Sequence, residues 1–411
     1  MTISSCKRVF LLLAGAAFML TGCAATGDRW ETLAPVQWAG TDQQGTRQGI
    51  SWAGESERGQ WAGLKVAVLP VHNMTAVPGP LKDVEKLFYL ALRKGGVQVL
   101  EKEILDQFMA KRRMRYTGGV DGITASAMKE ETSVEAVLIS SLEYFDEGDP
   151  PKISLHARLV SLGKDLEIQW MDSYCGAGDD SPGLLDLGLI EDSRVLMEKA
   201  IDQLARSMVF HLAGGSEWNA GADPGRGSLP TDTYRSPRME SAEPATVAVM
   251  PFLNLSERSY AWEILPLHFV QRMAYLPGVR ILEPGEVRRA LLNSRVFLQG
   301  GLSLPHLELV LKSTGADLVL TGTVIRYLDT RVVSRDPEVE FSVQMFDRAG
   351  KEIVWSSRSD GKGDDGVFFF GVGRRSTACS LADAMVSATV SGMSLQAGDP
   401  ETTSNKEGVI P

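Results

Sequence analysis

The chain has 411 residues, of which 44% are hydrophobic and 23% are charged, the balance of an ordinary globular protein. This length accommodates two or three domains. The formal net charge of −10 argues against nucleic acid as a partner and against electrostatic attachment to anionic lipid, because both need a basic surface.

Residues 1–22 form a predicted export signal. Lys7 and Arg8 supply a short positive segment, and the apolar run 9–20 is too short to span a bilayer as a permanent helix. The run ends in Leu20-Thr21-Gly22-Cys23, which resembles the bacterial lipobox that directs lipid attachment to a cysteine. An ordinary signal peptide followed by a chance cysteine is the alternative interpretation.

The lipobox resemblance implies a membrane anchor at Cys23. It implies cleavage after Gly22 and acylation of Cys23 on its thiol and on its new N-terminus. Apart from this covalent lipid, we expect no cofactor. Several acyl chains hold a protein firmly, because each buried methylene adds about 0.8 kcal/mol of membrane affinity. In enteric-type sorting, Ala24 in place of Asp favours the outer membrane, with the protein on its periplasmic face.

A tether rich in Trp and Gly occupies residues 23–63. It contains Trp-Ala-Gly three times, beginning at Trp38, Trp52 and Trp61. These tryptophans are candidate anchors that dock on a partner or on the chain's own domains, since an indole ring buries a large apolar area. A tether with weak local packing and no docking role is the alternative.

Two long segments of the chain repeat each other in sequence. Four motifs recur in the same order at a nearly constant spacing of about 181 to 185 residues: Val66–Thr75 as Val247–Ser256, Val97–Glu101 as Val279–Glu283, Ala136–Ser140 as Leu318–Gly322, and Trp170 as Trp355. Four ordered matches indicate two homologous domains.

Each repeat shows the same succession of predicted elements. A short, continuous apolar strand comes first and is followed by an amphipathic helix, a second short strand, one or two helices, a β-rich section and a closing helix. Alternation is clearest in the second repeat, where Val339, Phe341 and Val343 are separated by polar residues. Pro266 lies within the first helical pattern of that repeat, so we expect the helix to begin or kink there.

These patterns predict an α/β (α+β) protein with two tandem homologous domains, each a small mixed sheet packed with helices. A Gly-, Pro- and Ser-rich stretch between them reads as a flexible linker. The predicted organisation has six parts: a signal peptide (1–22), the acylated tether (23–63), a first repeat (64–212), the linker (213–244), a second repeat (245–396) and a disordered tail (397–411).

The repeats resemble a known periplasmic domain. The second carries Val249-Met250-Pro251-Phe252, then Asn254 and Ser256, and later Gly315-Ala316-Asp317-Leu318-Val319-Leu320. This pattern is similar to the α/β domain shared by the curli-secretion lipoprotein CsgG, the N-terminal domain of TolB and the penicillin-binding-protein activator LpoB. The first repeat departs from it, with Val134-Glu135-Ala136 where Gly-Ala-Asp would fall. The resemblance implies an envelope lipoprotein that binds or assembles other envelope proteins and is not an enzyme.

The chain has few signatures of chemistry. None of its five histidines stands in an H-x-x-x-H or H-E-x-x-H setting, so we expect no metal site and no catalytic residue from this pattern. A loop at 360–366 resembles a calcium loop but has Lys362 where an oxygen ligand belongs, which favours an exposed turn. Cys175 and Cys379 remain beside the lipidated cysteine after export, and they are either a disulfide or two buried free thiols.

Another candidate for partner binding is the aromatic run that begins with Phe368 and Phe369. It is either an exposed docking ridge or the end of a buried strand.

We therefore expect a lipid-anchored periplasmic accessory that binds cell-envelope proteins and forms no complex with nucleic acid. Two alternatives remain open: a CsgG-like oligomeric secretion channel, which would make the protein a homo-oligomer, and a regulator of a peptidoglycan synthase.

Overall fold

Each sequence repeat folds into one mixed β-sheet with helices on both faces in the computed structural model. The predicted α/β class with two sheet-containing regions is confirmed. The structure describes residues 63–180, 188–215, 229–237, 239, 245–296, 304–329, 336–349, 351–365, 367 and 373–393.

The first sheet has the strand order β3-β1-β4-β5-β6, and the short β2 also pairs with β4. Pairing is parallel around β1 and antiparallel from β4 to β6. The strands are β1 (Lys65–Val68), β2 (His72–Asn73), β3 (Gln98–Val99), β4 (Ala136–Asp146), β5 (Lys152–Ser161) and β6 (Ile168–Ala177).

The second sheet repeats this order as β10-β8-β11-β12-β13, with β9 on β11, and adds β7 at its edge. Equivalent strands pair in equivalent register in the two repeats. Val66 lies opposite Ala136 in the first sheet, and the corresponding Val247 lies opposite the corresponding Leu318 in the second. The strands are β7 (Asp232–Arg235), β8 (Ala245–Val249), β9 (Leu253–Asn254), β10 (Val279–Ile281), β11 (Leu318–Leu328), β12 (Glu338–Asp347) and β13 (Ile353–Lys362).

The helices bury the two faces of each sheet separately. In the first repeat, α1 (Leu81–Lys94) and α4 (Ser193–Leu212) cover one face, and α2 (Lys102–Arg112) and α3 (Gly122–Thr132) cover part of the other. The corresponding pairs in the second repeat are α5 (Ala261–Met273) with α8 (Ala378–Ser391), and α6 (Pro284–Asn293) with α7 (Leu304–Thr314).

Two local features bear on the sequence prediction. The range 213–244, predicted as a flexible linker, contains the strand β7, which pairs antiparallel with β13. Helix α5 begins five residues before Pro266 and runs through it. Proline leaves the carbonyl four residues earlier without its helical donor, and here the Phe252 N–H donates to the Trp262 carbonyl oxygen at 3.0 Å.

The two repeats pack head-to-tail: a sheet face of the first meets a helix face of the second. The hydroxyl of Tyr275, just after α5, bonds the backbone of Met171 on β6, and the His156 ring on β5 contacts the His268 ring on α5. The two surfaces that meet are different, so this contact is heterologous.

Burial follows from this arrangement. Eleven of the thirteen residues of α5 are buried, whereas only three of the fourteen in the equivalent α1 are buried. Strand β5 is buried continuously from Ile153 to Val160, while its equivalent β12 leaves Gln344 exposed. Within the described ranges, the outer face of α1 and one face of the second sheet therefore have exposed side chains.

Candidate functional site

Most of the residues that the sequence nominates lie outside the described part of the chain. These are the lipidated cysteine and the aromatic candidates Cys23, Trp38, Trp52, Trp61, Phe368 and Phe369. Within the described ranges, no helix has the length and apolar character needed to cross a membrane.

The remaining nominated pair lies at the junction of the repeats. Cys175 on β6 and Cys379 at the start of α8 form a disulfide, with their Cα atoms 5.4 Å apart. Of the two alternatives that the sequence left open, the structure has the bonded one. The bond therefore joins the last strand of the first sheet to the closing helix of the second repeat.

A buried ion pair forms the centre of this junction. The Arg158 guanidinium on β5 donates to both carboxylate oxygens of Glu283, at 3.0 and 2.7 Å, and to the Gly118 carbonyl oxygen at 2.7 Å. Both side chains are almost fully buried. Burial lowers the pKa of Arg158 and the Glu283 carboxylate raises it, with an upward net shift. The pair is bidentate, the geometry that favours a buried charge pair.

Glycines permit the backbones of the two repeats to touch beside this pair. A Cβ atom on Gly119 would lie 2.8 Å from the backbone nitrogen of Gly285, and a Cβ on Gly285 would collide with the backbone of Val120. Glu283 accepts the Gly285 N–H and begins helix α6. The same carboxylate thus caps a helix and binds the other repeat.

A second polar group lies deeper in the junction. Glu143 on β4 contacts His156 on β5, with Oε2 and Nε2 3.1 Å apart, and accepts a hydrogen bond from the Tyr327 hydroxyl of the second repeat. His268 on α5 places its ring centroid 4.6 Å from that of His156. The side chains of Glu143, His156 and His268 are fully or almost fully buried.

Burial and neighbouring charges shift the pKa values of the ionisable groups around these histidines. Burial raises the pKa of Glu143 and His156 lowers it, with a downward net result, whereas burial lowers the pKa of His268. Asp383 on α8 lies 3.8 Å from His268 Nδ1 and accepts the Arg272 Nε–H at 3.1 Å. Burial opposes ionisation of Asp383, but His268 and Arg272 bring its pKa down to about 2.

A largely apolar cleft of about 640 Å³ opens on the second repeat next to the junction. Helices α5 and α6 form its walls, and Tyr116 and Gly118 of the first repeat close one end. A concave apolar surface with few polar groups is the usual form of a binding site. Its lining includes Phe252, Trp262, Leu267, Val270, Val287, Leu291 and Val296.

Polar side chains form one rim of the cleft. The Tyr116 hydroxyl donates to Glu263 at 2.7 Å, and the Arg288 guanidinium lies 4.1 Å from the centre of the Tyr116 ring. His72 Nε2 lies 3.3 Å from the same Glu263 carboxylate. Burial raises the pKa of Glu263 and His72 lowers it, with a downward net shift, which favours the ionised form of this carboxyl.

Comparison with known proteins finds no matching family model and no matching curated protein. Among solved structures, PelC of Paraburkholderia phytofirmans, a dodecamer, is 20% identical and matches over 41% of this chain and 97% of its own, with a TM-score of 0.29. The C-terminal domain of LpoB from Salmonella enterica is 13% identical over 35% of this chain and 97% of its own, with a TM-score of 0.24. Lipoprotein GNA1162 of Neisseria meningitidis is 17% identical and matches over 35% of this chain and 98% of its own, with a TM-score of 0.25.

The junction residues carry no signal that a motif search would find. Arg158 and Glu283 are 125 positions apart, and each stands in an ordinary strand or helix-start pattern. Their partnership depends on how two homologous domains dock, which local periodicity does not encode.

Proposed function

We propose that this protein is an accessory lipoprotein of the cell envelope that binds other envelope proteins through its paired repeats. Acylated Cys23 holds it at the periplasmic face of the outer membrane. It has no catalytic role, in keeping with a sequence that lacks the G-x-S-x-G and G-x-x-x-x-G-K-S/T motifs.

The observation that carries this proposal is the pair of open faces on the repeats. In the first repeat, the sheet face around Arg158 receives a helical surface of a neighbouring domain. In the second repeat, strand pairing places Gln344 at the position of Arg158 and Ser342 at that of His156. Gln344 is exposed, so the face that binds a protein domain in one repeat is accessible in the other.

Helix α1 offers the complementary surface. Leu87 stands at the position that His268 has in α5, and Leu90 is 50% exposed beside it. Exposed apolar side chains on a helix whose homologue is buried are the pattern of a protein contact. Either open face, or both, would receive the envelope partner.

A second candidate function follows from the head-to-tail packing. A heterologous contact leaves one unused surface of each kind, and its repetition from chain to chain produces a ring or an open filament. A closed ring of chains would favour the secretion-channel alternative over an accessory that binds a different protein.

Site-specific photo-crosslinking in cells tests the proposal. A photoreactive residue at Gln344 or at Leu90 is expected to capture a discrete envelope protein, and the same residue at the exposed Glu130 on α3 serves as the matched control. Capture of a peptidoglycan synthase would identify the protein as its regulator. Capture of the chain itself would favour the oligomeric channel, and light scattering of the detergent-extracted protein would give the ring size.

No specific product at Gln344 or Leu90, from protein that is folded and membrane-bound, would contradict binding through these faces. A crosslinked product of equal yield at Glu130 would contradict it as well, because capture would then not depend on which surface carries the photoreactive residue.

A further inference from the structure

We infer that Glu143, His156 and His268 form a binding site for a divalent transition-metal ion of the zinc type, buried between the two repeats. Spacing along the sequence predicts no metal site, because these ligands come from three separate elements of two domains. The inference goes beyond the proposed binding function and does not depend on it.

The three side chains converge on one point. One ligand atom from each, together with the Cys379 sulfur, can be chosen so that all lie within 4.8 Å of one another. His156 Nε2 and Glu143 Oε2 are 3.1 Å apart. Two ligands at zinc–ligand distances of 2.0–2.1 Å and a tetrahedral angle lie about 3.3 Å apart, so this pair has the spacing of one edge of a zinc site.

Glu143 lies in a β-bulge on the face of β4 that meets the second repeat. The register of β4 against β5 shifts between Leu142 and Tyr144, so Glu143 is the extra residue of the bulge. Ser141 lies opposite His156, so alternation along β4 places Glu143 on the same face of the sheet, the one that meets the second repeat.

The histidines have ring nitrogens with no hydrogen-bond partner among the described residues. These are both nitrogens of His268, which is fully buried, and Nδ1 of His156. A buried polar atom left unpaired costs about 1–3 kcal/mol, and native structures rarely keep several of them together. A metal ion held by His156 Nε2 and Glu143 Oε2 would give the buried His268 ring a partner, which the Glu143–His156 contact alone does not.

Neighbouring groups have the arrangement that supports metal ligands. The Tyr327 hydroxyl donates to Glu143 Oε1, which leaves Oε2 for the ion. Asp383 Oδ1 lies 3.8 Å from His268 Nδ1, and Asp383 is itself held by Arg272. A carboxylate near this nitrogen favours the tautomer with its proton on Nδ1, which leaves Nε2 of His268 for the ion.

Cys379 lies in the same cluster, but its sulfur is bonded to Cys175. The site we propose therefore has three protein ligands, two imidazoles and one carboxylate, while the disulfide is intact. This set suits zinc and other borderline divalent ions, whereas calcium and magnesium prefer oxygen ligands alone.

The test uses the full-length protein in detergent with its disulfide intact and Zn²⁺ as the probe. Protein purified without chelator from zinc-supplemented cells is expected to contain about one zinc ion per chain, as a single three-ligand site requires. His268→Asn is expected to lose zinc, and Asp383→Asn to weaken zinc affinity by about 10- to 100-fold. His306→Asn on α7 is the matched control and should retain the ion.

Wild-type protein with less than about a tenth of an equivalent of zinc, and no rise in Tm on zinc addition, would overturn the site. Equal zinc content in His268→Asn and wild type would overturn it too, as would binding that requires reduction of the disulfide. Where the variants do not fold, Co²⁺-substituted wild-type protein decides: tetrahedral d–d bands support the site, and an octahedral aquo-type spectrum contradicts it.

Discussion

Replacing Arg158 with methionine should separate the energetics of the junction from those of the individual sheets. The substitution keeps most of the side-chain volume but leaves the Glu283 carboxylate fully buried without its counter-charge. Among the described residues, the carboxylate then keeps two weak backbone donors, the N–H groups of Val120 and Gly285 at 3.4 Å. Breaking a buried pair in this way costs about 3–5 kcal/mol of unfolding free energy.

The double variant Arg158→Met, Glu283→Gln should recover about half of that loss. It removes both charges, and the glutamine still accepts from the start of α6. What remains is the Gly118 carbonyl oxygen, which loses its donor at a cost of about 1–3 kcal/mol. We therefore expect the double variant to be more stable than Arg158→Met alone.

Urea denaturation followed by far-ultraviolet circular dichroism and tryptophan fluorescence measures these differences. Arg93→Met is the matched control, because Arg93 pairs at 3.3 Å with Glu101, the first-repeat counterpart of Glu283, and both side chains are more than half exposed. That variant should lose no more than about 1 kcal/mol. A loss below about 1 kcal/mol for Arg158→Met, or a double variant no more stable than the single, would refute a buried charge pair at the junction.

Three further changes probe other contacts at or near the same junction. Burial raises the pKa of Asp172 to about 6. Because this carboxyl ionises more easily in the unfolded chain, its contribution to stability should fall by about 3 kcal/mol as pH rises from about 4 to above 6, and urea titrations at several pH values should show Asp172→Asn gaining about that much relative to wild type. Gly285→Ala should lower Tm, because the added methyl group meets the Val120 backbone, whereas the matched control Gly392→Ala, whose Cβ would come no closer than 3.5 Å to its neighbours, should leave Tm nearly unchanged. Cys379→Ser should lose about 5 kcal/mol in the chain-entropy account, because the bond closes a separation of 204 residues, and an unchanged midpoint under oxidising conditions would exclude a stabilising disulfide.

Periodicity and repetition were sufficient to predict the architecture of each repeat. Val339, Phe341 and Val343 alternate with polar residues and are all buried, as a sheet with one covered face requires. The equivalent positions of the first repeat do not alternate, since Arg158 and His156 are buried there by the second repeat. The sequence pattern of a single strand does not show that a neighbouring domain covers the polar face of its sheet.

The residues of the candidate sites could not be predicted from local sequence patterns. The strand Asp232–Arg235 forms within a polar, Gly-rich stretch because the edge of β13 is available to pair with it. His268 occurs in a helix pattern that is apolar on most sides, and nothing in its spacing marks a ligand. Such residues become recognisable only when docking brings Glu143, His156 and His268 to one point.

The proposed envelope function depends most on the lipid anchor at Cys23. Mass spectrometry of the N-terminal peptide from detergent-extracted protein, with cell fractionation alongside, tests it directly. We predict a chain that begins at Cys23, carries diacylglycerol and an N-acyl group, and sediments with the membranes, while Cys23→Ser does neither. An unmodified Cys23 in protein that fractionates as a free periplasmic species would contradict the account.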